Sequence, residues 1–192
     1  KAPSELSLRK ELDHLDHNCR KFIALSPFLC LATAGKDGMD NSPRGDAPGF
    51  VEVLDERTLL IPDRPGNNRL DSLANIIHNP RVGLLFFIPG VTEMLRINGR
   101  ARIVTRPQIL ELFSVNGRAP AVVIRVETEE VFLHCSKALI RSRLWQEGSK
   151  VDRKALPSLG RMIAEVIDRE PAAATVAEYD ARIEKSIKET LY

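Results

Sequence analysis

Residues Leu59–Ile88, LLIPDRPGNNRLDSLANIIHNPRVGLLFFI, decide how this chain folds. They read as a buried strand, a loop Pro62-Asp63-Arg64-Pro65-Gly66, a helix over Asn67–Ile77 stopped by Asn79-Pro80, and a second apolar strand over Arg81–Ile88. A helix that opens on Asn67-Asn68-Arg69 sets two arginines, Arg64 and Arg69, and two amides at its mouth. Unpaired backbone N–H groups and the positive end of the helix dipole favour an anion there, and a phosphate-bearing ligand suits the site. Arginine adds forked, charge-assisted hydrogen bonds to phosphate oxygens. The plain alternative is an ordinary strand-to-helix connection, with an Asn as cap and the arginines in water.

Outward from this stretch the pattern is one of short strands. Phe28–Ala34 is an apolar strand, Gly35-Lys36-Asp37-Gly38 a hairpin turn, and Met39–Pro43 the return strand. Phe50–Val53 turns at Leu54–Arg57 into Thr58–Ile61. Downstream come Glu93–Val104, a short helix from Pro107 to Phe113, and two last strands, Ala121–Val126 and Glu130–Leu133. Helices stand at both ends. Leu8, Leu12, Leu15, Cys19, Phe22 and Ile23 recur every three or four residues before Ser26-Pro27. Ser136–Trp145, Leu156–Asp168 and Ala172–Leu191 are helical, broken by Pro157 and Pro171. Antiparallel strands clustered in sequence, without strict strand–helix alternation and without GxGxxG, predict an α+β barrel rather than a doubly wound sheet.

The 192 residues are 43% hydrophobic, enough for one substantial core with a small appendage. Net charge is +2, from 28 basic and 26 acidic residues, which makes no electrostatic case for nucleic acid. The basic residues Arg141, Arg143, Lys150, Arg153 and Lys154 are interrupted by Glu147 and Asp152 and lack an aromatic ladder, so they read as a solvated face. No apolar run is long enough to span a bilayer, and no membrane role is expected. The scattered cysteines Cys19, Cys30 and Cys135 read as reduced thiols, and the expected location is the cytoplasm.

Two more segments share the polar character of the Asp63–Arg69 loop. In Asn41-Ser42-Pro43-Arg44-Gly45-Asp46, an arginine just past a strand points into whatever the strand borders; the plain alternative is a surface turn with a local Arg–Asp pair. In His134–Trp145, Ser136, Lys137, Arg141 and Trp145 have near-helical spacing, which places donors and an indole on adjoining faces; solvated charges and one core Trp are the plain alternative.

Taken together, Ser42–Asp46 (SPRGD), Ile61–Leu73 (IPDRPGNNRLDSL), Asn98–Ala101 (NGRA) and the His134–Trp145 segment resemble the pyridoxamine 5′-phosphate oxidase-like FMN-binding split-barrel proteins, in particular a bacterial subgroup carrying these motifs. The resemblance covers about Leu25–Trp145. It implies a six-stranded split barrel, mainly antiparallel with flanking helices, over residues 1–145 including the N-terminal helix. A C-terminal helical extension, 146–192, would pack on the barrel or dimer. It also implies a homodimer with FMN in grooves at the subunit interface. By position, Arg69, Asn67 and Asn68, with Arg64, look like phosphate ligands. Arg44 and Asp46 would border the cofactor, with Ile61, Pro62 and Asp63 along the isoalloxazine edge through backbone groups. Ser136, Lys137, Arg141 and Trp145 would reach FMN from the partner chain.

The implied activity is FMN-dependent hydride transfer involving a small molecule or NAD(P)H. The vitamin-B6 oxidases end in a segment whose arginine and histidine residues grip their substrate, whereas Ala172–Tyr192 here has no histidine; pyridoxamine phosphate is therefore not the expected substrate. The alternative from a different class is a split barrel that stores or senses flavin, or holds haem, without turnover; a deazaflavin F420 enzyme is a third reading that the fold allows. No Ser/His/Asp or Cys/His arrangement suggests nucleophilic catalysis, and no catalytic residue is assigned. His134 is the one candidate proton donor beside the site. His14 and His17, three apart on a helix and beside Asp13, are the one pattern worth a metal check, but without a second ligand pair no metal is expected.

Overall fold

The structure, a computed structural model, describes residue 5, residues 9–36 and residues 38–192. Seven antiparallel strands form one sheet: β1 (Phe28–Ala34), β2 (Met39–Gly45), β3 (Glu52–Val53), β4 (Thr58–Pro62), β5 (Arg81–Phe87), β6 (Met94–Val104) and β7 (Val123–His134). Their order across the sheet is β2-β1-β5-β6-β7-β4-β3. The first compact unit, 1–63 with 69–146, also contains α1 (His17–Leu25), α2 (Asp71–His78), α3 (Pro107–Glu111) and α4 (Lys137–Ser142). The fold is α+β, a split barrel with flanking helices, and β3 brings the expected six strands to seven.

One contact shows that the sheet is rolled. Arg44 lies on β2 at one edge, and four strands separate it from β4, yet its guanidinium is ion-paired with Asp63 at the end of β4. Only a sheet curled on itself brings those strands together. Inside the roll, every second residue is apolar: Leu29 and Leu31, Leu59 and Ile61, Leu84 and Phe86, Leu95 and Ile97, Ile124 and Val126 are essentially fully buried. That alternation is the period-two pattern of strands with one face on a core. Leu15, Cys19 and Ile23 from the α1 region and Ile76 of α2 complete the cluster.

Three sequence expectations need correction. The expected N-terminal helix is not continuous: Arg9 is helical, residues 11–16 are not, and a new helix starts at His17, where the Asp16 carboxylate accepts from the Cys19 backbone N–H at 2.8 Å and caps it. Upstream, Leu12 exchanges two backbone hydrogen bonds of 2.8 Å with Val131 and is extended; Leu8 lies outside the described residues. His14 is therefore not on a helical face with His17. The second correction is that β2 runs through Pro43 to Gly45, so Arg44 is within the strand rather than past it.

The third concerns the two expected last strands, which are one. The run Glu127-Thr128-Glu129 reads as a break in the sequence, but it remains paired to β6 through a bulge: Asn98 faces Glu130 and Gly99 faces Thr128, so Glu129 is the extra residue. The bulge flips the buried phase from Ile124, Val126 and Thr128 to Val131. Gly99 is what permits it. A Cβ there would stand 2.2 Å from the Glu127 carbonyl oxygen and 3.1 Å from the Thr128 Cα, both backbone atoms that cannot rotate away.

The second compact unit comprises 64–68 and 147–192. Its helices α5 (Leu159–Ile167) and α6 (Ala173–Glu189) meet at Gly160, whose N–H donates to the Asp180 carboxylate at 2.8 Å. A Cβ at Gly160 would come within 2.8 Å of the Asp180 backbone nitrogen and carboxyl carbon, so the glycine sets the close approach.

Gly99→Ala should cost about 1–3 kcal/mol by urea denaturation, the usual penalty for forcing volume into a packed interior. A cost below the error of the measurement would mean the bulge yields. The cap gives a pH-dependent counterpart. The Cys19 N–H bond holds the Asp16 carboxyl below its ordinary 3.8. The stability it adds is therefore complete above that value and is lost as the pH falls through the depressed folded-state titration. Asp16→Ala should destabilise by about 1 kcal/mol at neutral pH, and the gap from the parent should narrow in acid; a gap independent of pH would contradict this.

Candidate functional site

The site begins on β2, where Asp40, Ser42 and Arg44 alternate with exposed residues and so share one half-buried face. Asp40 accepts from the Ser72 hydroxyl of α2 at 2.7 Å. Asn75, also on α2, donates to the Thr33 hydroxyl of β1 at 3.1 Å. These bonds seat α2 over the β1–β2 hairpin. Arg44 reaches across to Asp63, whose N–H is fixed to the Val122 carbonyl at 3.0 Å. The side chains are only 15% and 20% exposed, so this pair works in a less screened medium than a surface pair.

Arg44 Nε is buried and has no hydrogen-bond partner among the described residues. A buried donor without an acceptor costs free energy, and native structures hold few. An aromatic or carbonyl-bearing ligand lying against the Arg44–Asp63 pair would supply that acceptor. Beside it, β3 pairs with Leu59 and Leu60 but not with Ile61 and Pro62. The far edge of those two buried residues therefore carries no strand among the described residues, leaving backbone for a ligand. The Asp46 carboxylate, just past the end of β2, accepts from the Ala47 N–H at 2.7 Å. The local Arg44–Asp46 pair that the sequence allowed is replaced by Arg44–Asp63, nineteen positions apart.

The helix expected over Asn67–Ile77 starts at Asp71, since Asn68 takes a left-handed φ of 58° and Pro65-Gly66 precede it. Leu70 stands at the N-cap and provides no side-chain bond, so the first-turn N–H groups lack a protein cap. Arg69 Nε donates to Asp71 at 2.9 Å, and its side chain is 75% exposed. A guanidinium thus sits beside an uncapped helix start. Arg64, Asn67 and Asn68 belong to the second unit, where the Arg64 guanidinium lies 5.7 Å from the Tyr192 ring centroid.

Ser136, Lys137, Arg141 and Trp145 are placed elsewhere. Helix α4 covers only Lys137–Ser142, ended by Arg143 in the left-handed region, so Trp145 is off the helix. Its indole donates to the Val91 carbonyl in the β5–β6 turn at 2.7 Å, which anchors the segment. Lys137 and Arg141 are exposed and Ser136 is half-buried. This group follows His134, which pairs with Met94, whereas Pro62 pairs with Val123 at the other end of the same strand. Eleven residue steps of strand, about 36 Å of contour at 3.3 Å each, separate the two ends. Within one chain, the Arg44–Asp63 group and the Lys137–Arg141 group do not meet.

The other titratable groups offer little chemistry. His134 is exposed and stacks on Phe132, with centroids 5.9 Å apart. Burial, then the Asp16 carboxylate, pushes the Cys19 thiol up to about 12, which makes it inert. Asp13 is already held by His14 and Arg57, which lower its carboxyl to about 2. Among the described residues no group of three His, Cys, Asp or Glu side chains could hold a metal ion, and no helix is long and apolar enough to cross a membrane.

With this geometry in place, comparison with known proteins is informative. The family model described as Pyridoxamine 5′-phosphate oxidase matches residues 15–135. Among solved structures, HupZ of Group A Streptococcus is 17% identical, with a TM-score of 0.51 over 62% of this chain and 92% of its own. A Lactobacillus delbrueckii protein provisionally named a pyridoxamine 5′-phosphate oxidase is 22% identical, with a TM-score of 0.49 over 64% of this chain and 98% of its own. The first of these likenesses supports the fold. No curated protein matches the chain in sequence.

A double-mutant cycle on Arg44→Met and Asp63→Asn should return a coupling free energy of about 1–3 kcal/mol, as expected for a contacting charged pair. Each single variant should lower the urea midpoint more than the pair together. Strict additivity would show that the ion pair does not hold the rolled sheet.

Proposed function

Because the chain belongs to the pyridoxamine 5′-phosphate oxidase family, we propose that it is an FMN-dependent oxidoreductase. In this reading it is cytoplasmic and homodimeric, and it transfers hydride between FMN and a small molecule or NAD(P)H. The observation that carries the reading is the buried Nε of Arg44, partnerless among the described residues, in its ion pair with Asp63. A preorganised donor of this kind is expected where an electron-rich ring must be held and its negative charge stabilised. The unpaired edge of Ile61 and Pro62 supplies backbone contacts for the ring edge, and Arg69 at the uncapped start of α2 takes the phosphate. Asn67, Asn68 and Arg64 are proposed as further phosphate donors.

Bound FMN would supply the redox chemistry, hydride acceptance and reoxidation. The residues of this chain hold and orient it. Asp63 fixes the Arg44 guanidinium so that it needs no reorganisation. Asp71 positions Arg69 by accepting the Nε hydrogen bond at 2.9 Å.

The length of β7 supports the proposed dimer. Lys137, Arg141 and Ser136 sit at the end remote from Asp63, so they complete a site with Arg44 and Arg69 only if a second copy presents them. Trp145, tied to Val91, would then act by fixing that segment. Binding between copies would also stabilise the dimer by mass action.

Freshly purified protein should show flavin absorbance bands and release FMN on denaturation, or acquire the bands when FMN is added. Addition of NAD(P)H should then bleach the bands, with oxygen uptake on recovery; persistent flavin colour under every reductant would favour a storage or sensing role instead. Arg69→Ala should weaken FMN binding by about 1.5–3 kcal/mol, the cost of one charged hydrogen bond, with an unchanged melting curve. Undiminished affinity in that variant would place the phosphate elsewhere.

A further inference from the structure

A cavity of about 440 Å³ lies on the outer face of β4, β7 and β6 and shares no residue with the site around Arg44, Asp63 and Arg69. Leu60 on β4 stands opposite Arg125 on β7, and Arg125 stands opposite Arg102 on β6. Directly paired residues of antiparallel strands point to the same face, so these three form a row. Two positions along, Val123 and Val104 form a second row, and it is apolar. Helix α3 adds Ile109, and Arg106 at its N-cap closes the rim. The other face of the same strands carries Leu59, Ile61, Ile124 and Val126 into the barrel core. The cavity is therefore outside the barrel.

Its electrostatics call for an anion. Like charges directly opposite each other on neighbouring strands repel, as Arg102 and Arg125 do. Three carboxylates outside the lining compensate in part: Glu127 lies 3.7 Å from Arg102, Asp55 feels the charge of Arg125, and Glu52 stands opposite Leu60 in the same row. Arg125 also donates to the Thr58 hydroxyl at 3.4 Å. The lining itself holds three guanidinium groups, of Arg102, Arg106 and Arg125, and no carboxylate, so the surface a ligand meets is cationic. Beneath the arginines the floor is hydrocarbon, from Leu60, Val104 and Ile109. The volume is that of a pocket for a small organic molecule. A polyanion is disfavoured, because Glu127 and Asp55 would oppose charge beyond the first.

We propose that this cavity binds a small amphipathic monoanion, such as an aromatic or branched-chain carboxylate, with its apolar body on Leu60, Val104 and Ile109 and its head group on Arg106 and Arg125. The proposal does not depend on flavin binding. Anilinonaphthalene sulfonate, which joins an aromatic body to one negative charge, is a suitable probe, and phenylnaphthylamine is its uncharged counterpart. Fluorescence titration of the full chain should show saturable one-to-one binding of the sulfonate and much weaker binding of the amine. Arg106→Ala, at an exposed position whose loss leaves the melting curve unchanged, should weaken the sulfonate about tenfold, the equivalent of one charged hydrogen bond. Arg106→Lys should recover part of that loss, and excess FMN should leave binding intact. Absence of sulfonate binding, equal affinity for the amine, an unchanged affinity in Arg106→Ala, or displacement by FMN would each overturn the proposal.

Discussion

The Arg44–Asp63 ion pair joins the two ends of the architecture. β2 is one edge of the sheet and β4 is next to the other edge, so the pair forms only if the sheet rolls. The fold uses this contact, and the proposed function would use it too. For the fold, it ties the β1–β2 hairpin to the start of the loop that leads to α2. For the site, it leaves one guanidinium nitrogen buried without an acceptor among the described residues. A pair this well shielded gains more from its Coulomb attraction than a surface pair does, but it also pays more in desolvation. Its value here is geometric: it holds a cationic donor still.

β7 sets the scale of the molecule. It pairs with β6 along its whole length and with β4 along its first half, and it carries the bulge at Glu129 in between. Because the bulge flips the buried face, Thr128 and Val131 can both point inward although they are three apart. The strand places the polar segment after His134 far from the loop after Pro62. In the proposed flavoprotein, this separation is the reason a second copy would be called on to complete the site.

Much of the fold was legible in the sequence because its signals are local. The boundaries of β1 follow from Phe28–Ala34 being apolar between Ser26-Pro27 and Gly35, and β4, β5 and β6 fall within a residue of their apolar runs. What misled was polarity read without pairing partners. Glu127–Glu129 looks like a loop until β6 is laid beside it, and Gly99, whose lack of a side chain permits the bulge, is thirty positions away. The start of α2 was placed too early because Asn67-Asn68 is good capping chemistry, whereas Asn68 is used for its tolerance of positive φ. The candidate site was only half legible. Arg44 and Asp63 were each singled out, but their partnership crosses the barrel and no spacing rule reports it. The charged cavity was invisible for the same reason: Arg102, Arg106 and Arg125 become neighbours only through strand register.

The register between β4 and β7 also bears on how the chain is made. β4 (Thr58–Pro62) has as its main partner a strand that begins about sixty residues later, at Val123. On a ribosome adding 5–20 residues each second, β4 waits roughly 3–12 s for that partner to be synthesised. During that interval Leu59, Leu60 and Ile61, all buried in the finished protein, are an apolar segment with no sheet to join beyond the two residues of β3. The hairpin β1–β2 and the strands β5 and β6 can assemble first, since each neighbour follows closely in the chain. The nascent protein therefore passes through a stage with a half-built, open sheet, and Pro62 at the end of β4, which donates no backbone hydrogen bond, makes the waiting strand a poorer template for the wrong neighbour.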